Sequence, residues 1–127
     1  MNQIIWKNKL QVLWILQMFN FLAVLVMPEA MAAVTVQMGG ALGTVISFYF
    51  LLTCLMIWMA VFLKPAVSRW PMMVVAALYA FVKISWIVKA LSGEVMGAML
   101  INEIWGLLTA LLIVWYGWNK PGPDPAR

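Results

Sequence analysis

Histidine is missing from the sequence altogether, and cysteine occurs once, at Cys54. The first absence removes the usual haem ligand, the commonest metal ligand and the commonest acid–base catalyst. The second excludes an internal disulfide and any paired-thiol metal or redox motif. Charge is scarce too: eight cations and four acids make up 9% of 127 residues, against 66% hydrophobic ones. A soluble domain carries roughly a quarter charged residues and about half apolar ones. A chain this apolar cannot cover itself with a water-compatible surface. Disorder is excluded as well, because low hydrophobicity and high charge are what keep a chain unfolded. The composition defines an integral membrane protein, with the lipid bilayer as its first partner. The cations are scattered rather than striped, so nucleic acid is not an expected partner. No metal or other cofactor is expected.

What is present is a set of long apolar runs. A helix needs about 20 apolar residues to cross the hydrocarbon core. Four runs qualify: 10–27, closed by Pro28; 41–63, closed by Lys64-Pro65; 71–91, opened by Arg69-Trp70-Pro71; and 96–118, closed by Asn119-Lys120-Pro121. They predict an all-α fold, a single membrane domain over 1–127 formed by an antiparallel bundle of four transmembrane helices. Residues 119–127, with prolines at 121, 123 and 125, cannot continue a helix and read as a flexible tail. Residues 30–38 are apolar enough to lie along the outer interface or to extend the second span.

Charge placement gives an orientation. Lys7 and Lys9 precede the first span, Lys64 and Arg69 separate the second from the third, and Lys120 and Arg127 follow the fourth. The other side carries Glu29 and Glu94, with Lys89 as the nearby cation. The positive-inside rule then places both termini in the cytoplasm. Trp6, Trp70 and Trp118 fall at the same boundary, with Trp58 and Trp115 about a turn deeper, as expected of an interfacial aromatic belt. Lys7 and Lys9, the apolar run and Ala30-Met31-Ala32 also resemble a secretory signal with its cleavage site. The run of 18 residues exceeds the usual apolar core of about 7–15, so a permanent helix is expected instead.

Ionisable groups inside a membrane are costly and are functional-site candidates by default. Two qualify. Lys83 lies about 13 Å below the outer end of span three, and Glu103 about 10 Å below that of span four, at 1.5 Å per residue. A short turn joins these spans, so they are antiparallel neighbours and the charges can meet. Asn20 in span one and Ser47 in span two fall about 9–10 Å deep by the same rise. Gln17 lies a turn below Asn20; Thr44, Ser47 and Cys54 share a face of span two; Tyr79, Lys83 and Trp86 share one of span three. Asn102, Gly106 and Thr109 form a stripe beside Glu103. The expected intramembrane polar cluster is therefore Asn20, Ser47, Tyr79, Lys83, Trp86, Asn102 and Glu103.

Such a layer can fix helix register or handle a solute. Gly39-x-x-x-Gly43 and Gly93-x-x-x-Gly97 have the spacing that lets backbones approach closely and favours packing, or, lying near the outer ends, they shape turns. The eleven methionines are scattered over several faces and suit gap filling better than Cu(I) binding. In length and span number the chain is similar to the small multidrug resistance transporters, but its first span lacks their embedded glutamate. The phenylalanine box of small fluoride channels and the cysteine pairs of small mercury transporters are missing too. No constellation positions a nucleophile, so an enzyme is not expected. The leading expectation is an accessory or assembly subunit in a bacterial plasma membrane, working as a homo-oligomer or within a larger membrane complex. The alternative is a small oligomeric transporter or channel for a proton or a small polar or anionic solute, using Lys83 and Glu103.

Overall fold

The computed structural model describes residues 3–28, 31–32, 35–36, 39–92 and 97–119. Among these, every regular element is helical: α1 (Gln3–Val26), one 3-10 turn (Gly39–Ala41), α2 (Leu42–Phe62), α3 (Pro65–Leu91) and α4 (Gly97–Trp118). Four helical stretches are long and apolar enough to cross a membrane: Ile4–Val26, Gly39–Phe62, Pro65–Lys89 and Leu100–Trp118. Most of 30–38 and all of the tail from Lys120 lie outside the described residues. Gly39 opens the 3-10 turn with φ 57°, a left-handed conformation that suits a residue without Cβ.

Two helices begin earlier than the apolar runs suggest. α1 starts at Gln3 instead of residue 10 and takes Lys7 and Lys9 into its first turns. Apolar counting finds the part of a helix that fits hydrocarbon, whereas hydrogen bonding carries the helix past that edge. α3 starts at Pro65 instead of residue 71. The fixed φ of proline suits a first helical position. The Lys64 carbonyl accepts from the N–H groups of Val67 and Ser68, both at 3.0 Å, and from the Ser68 hydroxyl at 3.2 Å. Pro71 consequently falls inside α3, where its missing N–H leaves the Val67 carbonyl without the usual helical donor. The connection between α2 and α3 shrinks to Leu63 and Lys64.

α1 packs against α2 and α4, and α3 packs chiefly against α4. The seam between α1 and α4 is built from side chains of α1 that donate to backbone carbonyls of α4. Trp6 Nε1 bonds the Tyr116 carbonyl at 2.7 Å, Gln17 Nε2 the Gly106 carbonyl at 2.7 Å, and Asn20 Nδ2 the Asn102 carbonyl at 2.6 Å. Asn102 Nδ2 returns a bond to the Asn20 carbonyl at 3.3 Å. Leu10, Trp14, Ala110 and Ile113 are fully buried between these rungs. Ladders of this kind satisfy polar side chains where no water can. Gly106 permits the close fit: a Cβ there would sit 2.7 Å from Asn20 Oδ1 and displace that side chain.

At the last turn of α4, Arg69 Nε donates to the Gly117 carbonyl at 2.9 Å and Nη2 to the Trp118 carbonyl at 3.1 Å. A guanidinium fork thus closes carbonyls that a helix end leaves open. These contacts gather the start of α1, the α2–α3 connection and the end of α4 at one end, termed here the terminal end. Trp6 departs from the belt reading. It is fully buried and bonded to α4, whereas Trp58, Trp70, Trp115 and Trp118 are exposed. A tryptophan whose N–H finds a carbonyl across a helix seam gains more from burial than from the interface.

Candidate functional site

α2 and α3 are consecutive, yet their backbones approach each other little. Rings fill the space. Tyr49 of α2 stacks on Tyr79 of α3 with centroids 4.2 Å apart and 9° between planes. Phe21 of α1 stacks on the other side of Tyr49 at 4.8 Å, and Trp14 meets Tyr79 edge-on at 5.9 Å. The Tyr79 hydroxyl donates to Thr53 Oγ1 at 2.7 Å and lies 3.2 Å from the Tyr49 carbonyl oxygen. Thr53 also donates to the Tyr49 carbonyl at 2.8 Å. This stack joins α2 to α3 in place of direct helix contact.

One turn along α3 from Tyr79, Lys83 projects across to α4. Its Nζ lies 3.4 Å from Glu103 Oε2, and the two residues are 4% and 2% exposed. The ammonium also faces the Tyr49 ring, 5.5 Å from its centroid. A charge-assisted hydrogen bond is about 2.7–2.9 Å long, so this is an ion pair held short of full bonding. Glu103 Oε2 has no hydrogen-bond partner, and neither do Gln17 Oε1, Asn20 Oδ1 and the Tyr49 hydroxyl. Buried polar atoms are normally satisfied, so a group of acceptors left open marks this layer as unusual.

A cavity of about 90 Å³ adjoins the pair. Phe21 of α1, Val45 and Tyr49 of α2, Val82 and Trp86 of α3 and Glu103 of α4 are among its walls. Lys83 and Glu103 supply its charge; the rest of the lining is aromatic or aliphatic apart from the Tyr49 hydroxyl. Toward the terminal end the interior is filled by Trp14, Met56, Met72, Ala76 and Ile113, all buried.

Six of the seven residues expected to form the polar layer are buried: Asn20, Tyr79, Lys83, Trp86, Asn102 and Glu103. They form three groups, of which the first is Tyr79 alone, in the ring stack between α2 and α3. Asn20 and Asn102 belong to the α1–α4 ladder, while Lys83, Glu103 and Trp86 border the cavity. Ser47 does not join them. It is exposed, as is Thr44, and Cys54 is partly buried. α2 is apolar nearly all round, so its hydrophobic pattern does not mark an inward face, and hydroxyl depth alone points to the wrong side. The polar residues that α2 turns inward are Tyr49 and Thr53, four apart and hence on one face. That spacing was the available signal. Gly106 and Thr109 are buried, though Thr109 bonds within its own helix to the Trp105 carbonyl at 2.8 Å.

Among the described residues no three metal-ligating side chains gather. Compared with known proteins, the chain matches no family model, no curated protein and no solved structure.

Proposed function

We propose that this chain is an accessory or assembly subunit of a membrane-protein complex. It is read as a four-helix antiparallel bundle of a bacterial plasma membrane with both termini in the cytoplasm. The orientation is supported by Lys7, Lys9, Lys64 and Arg69, which belong to the terminal end. The observation that carries the function is the outer face of α2. Thr44 and Ser47 are exposed, and a Cβ added at Gly43, or at Gly40 in the preceding 3-10 turn, would meet nothing within 4 Å. A face of small and hydroxyl-bearing residues is poorly suited to lipid and well suited to close approach by another transmembrane helix. The filled interior toward the terminal end supports a packing role over a conduit within one chain.

A photo-crosslinking residue in place of Ser47 tests this in native membranes, with the same group in place of Phe81, exposed on α3, as control. A defined protein adduct from position 47 and none from position 81 is expected. Equal or absent crosslinking at both positions removes the proposal. A second reading, an oligomeric transporter, is favoured by the under-bonded ion pair beside a cavity. It requires that the adduct be a second copy of this chain and that Lys83→Met alone abolish flux of a proton or small solute.

A further inference from the structure

The ion pair and its cavity do not involve Thr44 or Ser47, the residues of the outer α2 face. We propose that the cavity holds the head group of an uncharged, lipid-soluble hydroxyl compound, with Lys83 donating to the hydroxyl oxygen and Glu103 Oε2 accepting its hydrogen. Four features select this chemistry. The site carries one positive and one negative group, so it has no net charge with which to hold an ion; a carboxylate would be opposed by Glu103 and an ammonium by Lys83. The two groups meet loosely: Lys83 Nζ stands 3.4 Å from Glu103 Oε2, longer than a full charge-assisted bond, and otherwise faces an aromatic ring. A hydroxyl is the smallest group that both donates and accepts, and it satisfies both partners at once.

The walls and the mouth supply the remaining two features. Phe21, Tyr49 and Trp86 present aromatic surface to whatever carries the hydroxyl. Val45 and Val82, on helices whose backbones approach little, are 38% and 37% exposed, so the cavity opens sideways between α2 and α3. In a membrane that opening faces hydrocarbon, and the ligand arrives from the lipid phase. About 90 Å³ accommodates a head group only, leaving any tail along the grooves outside. The phenolic ring of a quinol and the free hydroxyl of a neutral glycerolipid both offer this chemistry.

Native mass spectrometry of the full chain in mild detergent tests the assignment, titrating a short-tailed benzoquinol, its dimethyl ether, dioctanoylglycerol and decanoate. At least one of the two hydroxyl compounds is expected to bind at one molecule per chain. Whichever binds identifies the source. The dimethyl ether and decanoate should bind at least tenfold more weakly. Val82→Phe narrows the mouth at an exposed position and leaves the ion pair untouched, and should weaken binding at least tenfold with unchanged helical circular dichroism. The double variant Lys83→Met, Glu103→Gln keeps an uncharged cavity and should do the same. If that variant fails to fold, Val82→Phe and the ether decide. The assignment is overturned if neither hydroxyl compound binds, if the ether or decanoate binds as well, or if Val82→Phe leaves the affinity unchanged.

Discussion

Replacing Gly106 by alanine tests the α1–α4 seam at its tightest point. The added Cβ would lie 2.7 Å from Asn20 Oδ1 and 2.9 Å from both Cγ and Nδ2. The Asn20 amide must therefore leave, and its 2.6 Å bond to the Asn102 carbonyl goes with it. Interhelical hydrogen bonds in membranes average about 0.6 kcal/mol and reach about 1.7. Overfilling a packed site adds about 1–3 kcal/mol. Alanine returns up to about 1 kcal/mol through helix propensity. The sum is a destabilisation of about 1–3 kcal/mol. Removing the obstructing amide should relieve most of it: in an Asn20→Ala background, Gly106→Ala should be neutral or stabilising. Reversible unfolding in mixed micelles, run as a double-mutant cycle, measures the coupling, expected to exceed about 1 kcal/mol. Additivity within about 0.5 kcal/mol would falsify the close contact on which this account of the seam rests.

Further outcomes follow from the same geometry. Lys83→Met or Glu103→Gln alone leaves one buried charge unpaired and should cost about 3–5 kcal/mol, whereas the double variant should regain most of that loss; mixed-micelle unfolding distinguishes the two patterns. Tyr79→Phe and Thr53→Val each break the bond between α2 and α3 at a cost of about 0.6 kcal/mol. Because the two side chains share that bond, the double variant should be no worse than the sum less one bond. Arg69→Gln opens the carbonyls of Gly117 and Trp118 and should cost about 1 kcal/mol, the guanidinium being half-buried. Its effect should appear as faster amide exchange confined to the last turn of α4.

Reading the sequence succeeds where one physical rule acts alone. Hydrocarbon thickness sets the length of an apolar run, and four such runs correspond to four helices long enough to span. It falls short where two rules compete. Pro71 reads as a helix start, yet Pro65 with the Lys64 carbonyl nucleates the helix a turn and a half earlier. The intramembrane charges were legible because any buried charge is costly, and Lys83 and Glu103 are the two without an interfacial position. Ser47 was not legible. A hydroxyl can bond within its own helix, face a neighbour in the bundle or face a partner outside it, so its depth says little about its direction. Tyr49 hid among the apolar residues because its ring, rather than its hydroxyl, makes its contacts.

The bonds of the α1–α4 seam join residues 82 and 89 positions apart in the chain. At roughly 5–20 residues per second of synthesis, the first helix waits on the order of ten seconds before the last one is made. Through that interval Gln17 and Asn20 have none of the carbonyls that later receive them. The amides that tie the finished protein together are, during its biogenesis, a polar stripe on a newly inserted helix. α2, which is made next and packs against α1, is the neighbour at hand to shelter that stripe until α4 arrives. A chain released before α4 should therefore be recognised by quality-control proteases through α1, at the end opposite to the break.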